Sequence, residues 1–148
     1  MKKLSIFNHK SIIKASLFVL VLMIVGQLQA TDIHHYTNIT SNETWHSWDY
    51  VENEAITHIV HSGVSVVAGV TLTLQDSCMI DVPDEFDFII YGALISNGSE
   101  GRPITFLIGN LKLNNATGSC NISFTNFFGC ELIVDGCNNT VNVSHCYF

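Results

Sequence analysis

The chain has 148 residues, with six Lys or Arg against thirteen Asp or Glu, and a formal net charge of −7. Beyond the first thirty residues, only Arg102 and Lys112 stand against all thirteen acidic residues, a formal charge of −11. So acidic a surface repels nucleic-acid phosphates and anionic lipid head groups. We therefore expect no nucleic-acid partner and no binding to an anionic membrane surface.

The first thirty residues have the order of a secretory signal peptide. Four lysines precede an uncharged apolar segment, residues Ala15 to Val25, and the region closes on the small residue Ala30. A helix that spans a bilayer needs about 20 apolar residues, so this segment is too short for an ordinary anchor. We predict a signal peptide over residues 1–30, cleaved after Ala30, and a secreted or cell-surface protein with no stable membrane span. An uncleaved anchor or a buried helix is the alternative.

The rest of the chain falls into two parts. Residues 31–57 are polar, show neither helical nor strand periodicity and contain Trp45 and Trp48, so we interpret them as an irregular lead-in or cap. The two tryptophans fit a hydrophobic cap, with a sugar-stacking platform as the alternative. Residues 58–148 form short runs rich in β-branched and aromatic residues, broken by Gly, Asn, Asp or Ser, which predicts an all-β fold.

Internal repeats indicate which all-β fold this is. Three pairs of segments match at steps of eighteen or twenty-one residues: ITF 104–106 with ISF 122–124, NISFTNF 121–127 with NVSHCYF 142–148, and LKL 111–113 with LIV 132–134. A period of about 18 to 25 residues filled by short strands is typical of one coil of a parallel β-helix, or β-solenoid. A β-sandwich is the alternative, but it needs hairpin turns, and no Asn-Gly or Asp-Gly pair separates two strands at hairpin distance except Asn97-Gly98.

Alternation within the runs, combined with the repeat register, predicts the core. Twelve side chains are expected to point into one interior: Leu72, Leu74, Ile90, Leu94, Ile104, Phe106, Leu111, Leu113, Ile122, Phe124, Leu132 and Val134.

Residues 64–108 also carry an ordered set of short features: an apolar pair, a glycine, a TLTL strand, a YGAL segment, a glycine loop and a P-I-x-F strand. These are found at Gly69, Thr71–Leu74, Tyr91–Leu94, Gly98, Gly101 and Pro103–Phe106. The order resembles the first coils of bacterial secreted right-handed parallel β-helix repeat proteins, in the pectate-lyase-like superfamily, and the resemblance covers residues 58–148. It implies a repeat scaffold found in adhesins, surface proteins and polysaccharide-active enzymes, and a fold does not choose among these functions.

Lyase chemistry finds little support in the residues. A lyase acting on acidic sugars needs one basic group to neutralise the uronate and another to take a proton. Only Arg102 and Lys112 could serve, and Arg102 precedes Pro103 in a glycine-rich turn, where we expect it to be solvated. We therefore predict no catalytic residue in this segment.

One acidic cluster, DVPDEFD, is the only candidate for a hydrolase or calcium site. Its members are Asp81, Asp84, Glu85 and Asp87. Because Pro83 interrupts strand pairing, we interpret the cluster as a solvated turn between strands. Calcium binding and glycosidase catalysis are the alternatives, although the DxDxDG order of a dedicated calcium loop is missing. No other cofactor or metal is expected.

The histidines are expected to be structural or solvated. His58 and His61 are three residues apart on a predicted strand, so their side chains point to opposite faces and cannot share a metal. His34 and His35 lie in the lead-in, with no Cys or carboxylate spacing to support a site.

Cysteine and asparagine each leave two interpretations open. Buried thiols or one or two disulfides are both compatible with five cysteines: Cys78, Cys120, Cys130, Cys137 and Cys146. Asn-x-Ser/Thr sequences occur at Asn38, Asn42, Asn97, Asn115, Asn121, Asn138 and Asn142. These fit glycosylation or, as we prefer, asparagines favoured at the corners of a solenoid.

The sequence favours a secreted or cell-surface scaffold, adhesin-like or structural, whose partners are glycans or host or cell-surface components. The alternative is the N-terminal part of a carbohydrate-active enzyme, a polysaccharide lyase or glycoside hydrolase, with its site beyond residue 148. The run that ends at Phe148 is strand-like. We therefore expect a fragment of a longer β-helix, with an uncapped end prone to end-to-end self-association.

Overall fold

The computed structural model describes residues 30–49, 54–83 and 86–148, and they form a parallel β-solenoid of about five turns. Each full coil contains three short strands, one in each of three sheets. The predicted all-β class and parallel β-helix are confirmed, and the sandwich is excluded. The predicted signal peptide covers residues 1–30, and all of these except Ala30 lie outside the described residues. Within the described ranges, no helix is long and apolar enough to cross a membrane.

The first sheet has the order β1-β4-β7-β10-β13, and all of these neighbours are parallel. The short strand β3 pairs antiparallel with β4, off this order. The strands are β1 (Ala30–His35), β3 (Trp48–Asp49), β4 (Glu54–Val60), β7 (Met79–Asp81), β10 (Ile104–Leu107) and β13 (Thr125–Phe128).

The other two sheets are entirely parallel. The second has the order β14-β11-β8-β5, with β5 (Ser65–Val66), β8 (Asp87–Ile90), β11 (Asn110–Asn114) and β14 (Glu131–Asp135). The third has the order β15-β12-β9-β6-β2, with β2 (Glu43–Trp45), β6 (Thr71–Leu74), β9 (Ala93–Asn97), β12 (Cys120–Ser123) and β15 (Val141–Ser144).

The repeat of twenty-one residues is confirmed, whereas the step of eighteen is wrong. Leu111 stacks on Leu132 and Asn121 stacks on Asn142. Ile104, however, pairs with Thr125 in the first sheet, while Ile122 belongs to the third. The two similar segments therefore lie on different sides of the solenoid, and they look alike because each alternates apolar and polar residues.

The irregular lead-in predicted over residues 31–57 is also corrected. This region contains β1, β2, β3 and the start of β4, and it forms the first turn of the solenoid. Most side chains of β1 are exposed, because β1 is the outer strand of its sheet within the described residues. With most of its side chains exposed, β1 lacks the apolar alternation of a half-buried strand, so its residues do not indicate a strand.

The core runs along the solenoid axis and contains nine of the twelve predicted residues, each at most 1% exposed. The other three predicted core residues are more exposed than expected. Leu132 and Phe124 are half-buried, and Val134 is 51% exposed. Leu132 and Val134 do face inward, since they stack on buried Leu111 and Leu113, but within the described chain no strand pairs with the other edge of β14.

Trp45 closes the core at the first coil. Its side chain is 3% exposed, and its ring stacks on His35, His58 and Phe88. This agrees with the hydrophobic cap and leaves Trp45 unavailable as a sugar-stacking platform.

Candidate functional site

A cavity of about 610 Å³ opens on the flank of the solenoid, where the third sheet turns into the first. Ligand pockets in proteins typically have volumes of about 300 to 1,000 Å³. The lining combines an aromatic ring, an imidazole, a carboxylate, a hydroxyl and an amide: Ser99, Glu100, Pro103, Phe124, Asn126 and His145.

Two ring-bearing corner residues form one wall of the cavity. Phe124 follows β12 and His145 follows β15, so the two lie at equivalent corners twenty-one residues apart. Their rings stack with centroids 4.5 Å apart and an interplanar angle of 8°. The Phe124 amide donates a hydrogen bond to the Ser144 carbonyl, at 3.2 Å, which ties the two corners together.

Both corners have an unfavourable backbone conformation for their residue type. Phe124 has φ 47° and His145 has φ 52°, in the left-handed region. A residue with a Cβ costs about 1 to 2 kcal/mol there, and asparagine or glycine is the usual occupant. Strain of this kind is concentrated at functional sites. Ser77 and Ile108 have the same left-handed conformation, so it is common to several corners of this solenoid, and at Phe124 and His145 the corner also places a ring on the cavity wall.

The loop 98–103 forms the opposite wall, and Gly98 allows its close approach. A Cβ at Gly98 would lie 2.4 Å from the Phe124 carbonyl oxygen, which is closer than real Cβ contacts. The loop closes on itself through reciprocal backbone hydrogen bonds between Ser99 and Arg102, at 3.1 and 3.0 Å. Any side chain at Gly98 would push this wall off the corner.

The cavity offers hydrogen-bonding groups of both kinds around an apolar ring. Glu100 accepts, Ser99 and Asn126 donate and accept, and the His145 imidazole can do either. Such a lining suits a hydroxyl-rich ligand, whose hydroxyl groups need both donors and acceptors.

The two basic residues lie apart from each other. Arg102 forms an exposed ion pair with Asp76, at 3.7 Å, next to the cavity wall. Lys112 lies on β11, between two core residues, on the outward face of the second sheet. The structure does not bring them together.

The acidic cluster is divided between two sheets. Asp81 ends β7 and Asp87 begins β8, while Asp84 and Glu85 lie outside the described residues. Asp87 accepts a hydrogen bond from the Asn110 amide group, at 2.9 Å. Within the described ranges, no group of three or more His, Cys, Asp or Glu side chains could hold a metal ion. A solvated turn stays the prediction for this cluster, with calcium binding as its alternative.

Asp81 has an unusual environment. Burial, and secondarily the carboxylate of Asp32, raise the pKa of Asp81. One of its carboxylate oxygens is buried and has no hydrogen-bond partner among the described residues. The sequence alone indicates a solvated turn at Asp81 and does not reveal Asp32, which comes near it because β1, β4 and β7 are successive strands of the first sheet.

The histidines form two pairs that the sequence analysis did not anticipate. His34 Nδ1 lies 2.9 Å from His61 Nε2 on the exposed face, and His35 Nε2 lies 3.0 Å from His58 Nδ1 in the interior. The opposite orientation of His58 and His61 is confirmed, yet each finds a partner on β1. The sequence does carry a signal for these pairs, because the dipeptide His34-His35 precedes the spacing His58-x-x-His61 by about one coil length.

All five cysteines are free thiols. Burial raises the pKa of Cys78 to about 12 and that of Cys130 to about 11, and it also raises the pKa of Cys120. These three thiols pack as small apolar groups.

Several asparagines of the Asn-x-Ser/Thr sequences hold the coils together. The Asn38 side-chain oxygen accepts from the Ser65 amide at 3.0 Å, and that of Asn42 accepts from the Thr71 amide at 2.8 Å. Asn115 has φ 49°, as expected for a corner. Asn121 lies within β12 rather than at a corner, and its side-chain amide donates a hydrogen bond to the Asn97 side-chain oxygen at 2.7 Å.

Comparisons of the chain with protein-family models, with curated proteins and with solved structures find no match.

Proposed function

We propose that the protein is a secreted or cell-surface scaffold, adhesin-like or structural, that binds neutral glycans in the cavity beside Phe124 and His145. The observation that carries the proposal is the pair of stacked rings held in left-handed corners on the wall of this cavity. An aromatic surface next to convergent polar groups is a common lining of ligand sites.

Charge supports a neutral ligand over an acidic one. The chain beyond residue 30 has a formal charge of −11, and Glu100 lies in the cavity itself. An acidic polysaccharide would meet repulsion both at long range and at the site. Pectin and alginate are therefore expected to bind more weakly than neutral oligosaccharides.

The binding test compares asparagine variants at three left-handed positions. Phe124→Asn and His145→Asn each remove a ring from the cavity while keeping a residue that tolerates the corner. Ile108→Asn makes the same change at φ 53° outside the cavity and serves as the matched control. The purified protein is screened on a glycan array, and the neutral oligosaccharides that bind are then titrated calorimetrically.

We expect each cavity variant to weaken binding about two- to tenfold, equivalent to ~0.5 to 1.5 kcal/mol for one aromatic contact. The Ile108→Asn control should bind like the parent protein. The proposal fails if no neutral glycan binds, or if both cavity variants bind unchanged. Hydrolysis of the bound glycans would instead favour the alternative, a carbohydrate-active enzyme.

Export rests on the leader sequence and has its own test. Intact-mass measurement of the secreted protein should show a chain that begins near Thr31, because cleavage is expected after Ala30. A secreted species that retains residues 1–30 would contradict the predicted signal peptide.

We also propose end-to-end association with a second copy. Inward-facing side chains of the last described coil stay exposed, among them Val134 at 51% and Val143 at 43%. Phe148 continues a ring stack through Phe127. A second copy could extend these ladders, so light scattering should show a size that grows with concentration. A monomer at all concentrations would contradict this.

A further inference from the structure

The Asn-x-Ser/Thr sequences, called sequons below, are concentrated on one side of the solenoid. Six of their seven asparagines lie in strands of the third sheet or in the segments that lead into those strands: Asn42, Asn97, Asn115, Asn121, Asn138 and Asn142. The asparagines in described strands of the first and second sheets begin no sequon: Asn110, Asn114 and Asn126. Sequons therefore follow the position of the chain in the fold.

Backbone conformation accounts for one of the seven asparagines. Asparagine is favoured at a corner because it tolerates left-handed backbone. Asn115 has this conformation, at φ 49°, and the other six asparagines do not. The preference for solenoid corners predicted from the sequence is therefore wrong for those six. A structural role of asparagine also does not explain the Ser or Thr two positions later.

Asn138 is held outward by both of its neighbours, in the loop between β14 and β15. The Asn139 side-chain amide donates to the Thr117 carbonyl, in the preceding coil, at 2.7 Å. The Cys137 thiol donates to the Leu113 carbonyl, also in the preceding coil, at 3.5 Å. Because the residues on either side are anchored inward, Asn138 is exposed at the surface of the loop.

The two side chains that define this sequon are free. Among the described residues, neither the Asn138 amide group nor the Thr140 hydroxyl has a hydrogen-bond partner, and both residues are exposed. An N-linked oligosaccharide is bulky and hydrophilic, so its acceptor asparagine is expected in a surface loop of an exported chain. Asn138 has this placement.

The sequon of the preceding coil, Asn115 to Thr117, is engaged in contacts within the fold. The Asn115 side-chain amide donates to the Asn114 side-chain oxygen, at 2.8 Å. The Thr117 hydroxyl donates to the Tyr91 carbonyl, at 3.1 Å, and accepts from the Gly69 amide, at 2.9 Å. Two sequons in successive coils thus differ in whether their side chains are available.

We propose that Asn138 carries an N-linked oligosaccharide, attached during export from a donor in which the oligosaccharide is joined to a polyprenyl diphosphate. Asn138 Nδ2 forms a bond to C1 of the first sugar and loses one proton. The bond from C1 to the diphosphate oxygen breaks, and the diphosphate leaves with the bonding electron pair. The proposal rests on the predicted export and not on glycan binding in the cavity, which lies at the opposite corner of the third sheet.

The test is peptide mapping by tandem mass spectrometry of the full chain, secreted by the cells that naturally produce it. Asn138→Gln removes the acceptor nitrogen. Thr140→Val removes the hydroxyl but keeps the shape of the side chain, and Thr140→Ser keeps a hydroxyl as the matched control. Circular dichroism checks that every variant is folded. The intact mass of the same sample shows whether the signal peptide is removed, so failure of export is distinguished from failure of modification.

We expect an oligosaccharide on the Asn138 peptide of the parent protein and of Thr140→Ser, and none at this position in Asn138→Gln or Thr140→Val. Asn115 should carry none. Unmodified Asn138 in a secreted parent without its signal peptide would overturn the proposal, as would a Thr140→Val variant that keeps the oligosaccharide. Equal modification of Asn115 and Asn138 would also overturn it, because the contacts of the folded coils would then not select the acceptor.

Discussion

Replacing Leu113 with alanine should cost far more stability than replacing Val134, one coil further along the same ladder. This ladder contains Val66, Ile90, Leu113 and Val134 in register. Leu113 is fully buried with a ladder neighbour on each side, whereas Val134 is 51% exposed and has one. Leu→Ala in a packed core costs about 2 to 5 kcal/mol. Val→Ala removes the equivalent of two methylene groups, each of which contributes ~0.8 kcal/mol when fully buried. Because Val134 is about half buried, we expect the free energy of unfolding to fall by about 0.8 kcal/mol.

Urea unfolding followed by circular dichroism measures both losses, provided that the denaturant dependence m is the same for each variant. Lys112→Ala, on the outward face of β11, is the control and should change the free energy of unfolding by no more than about 0.5 kcal/mol. If Leu113→Ala lowered the free energy of unfolding by less than about 1 kcal/mol, Leu113 would not be packed in a buried ladder. Equal losses at Leu113 and Val134 would show that another coil or a second copy covers Val134 in solution.

Three further predictions concern single residues. Burial lowers the pKa of His58 to about 4, below its ordinary 6.5, so the unfolded chain takes up the proton first. Unfolding free energy should therefore fall by about 2 kcal/mol between pH 7 and 5, and this part of the pH dependence should vanish in His58→Phe. Ile108→Asn should stabilise the fold by about 1 kcal/mol in thermal unfolding, since it relieves a β-branched side chain at φ 53°, and a destabilised variant would contradict this. Under native conditions a thiol reagent should label half-buried Cys146 before Cys78, whose thiol is buried with a pKa of about 12, and the reverse order would contradict the packing.

The interior of the solenoid could be predicted because its sequence repeats. Leu111 and Leu132 match in type and lie twenty-one residues apart, and the structure stacks them. Matching similar segments failed for ITF 104–106 and ISF 122–124, because a segment of three alternating residues does not show to which of the three sheets its strand belongs. It also failed for β1, the outermost strand of its sheet among the described residues, because its side chains are mostly exposed and show no apolar alternation. Repeats therefore predict which strands stack only where long segments match.

The candidate sites could not be predicted in the same way. The cavity depends on the backbone conformation of Phe124 and on the close approach of Gly98, and neither is visible in residue types. The pairs His34–His61 and His35–His58 depend on a coil length of twenty-five residues between β1 and β4, which no match between the two segments revealed. To predict a contact between two coils, one must know the register in which their strands pair, and here the structure supplies that register.

The unusual corners show how this fold can accommodate a binding site. Strand pairing and the apolar ladders determine the path of the chain, so a corner that costs about 1 to 2 kcal/mol is tolerated without changing that path. At Phe124 and His145 this cost is partly offset by a ring stack at 4.5 Å, which contributes about 0.5 to 1.5 kcal/mol. Asparagine would relieve the strain at either corner but would give no ring to the cavity. The proposed glycan site would account for the rings at these two corners, whereas Ile108 has the same backbone conformation, φ 53°, outside the cavity.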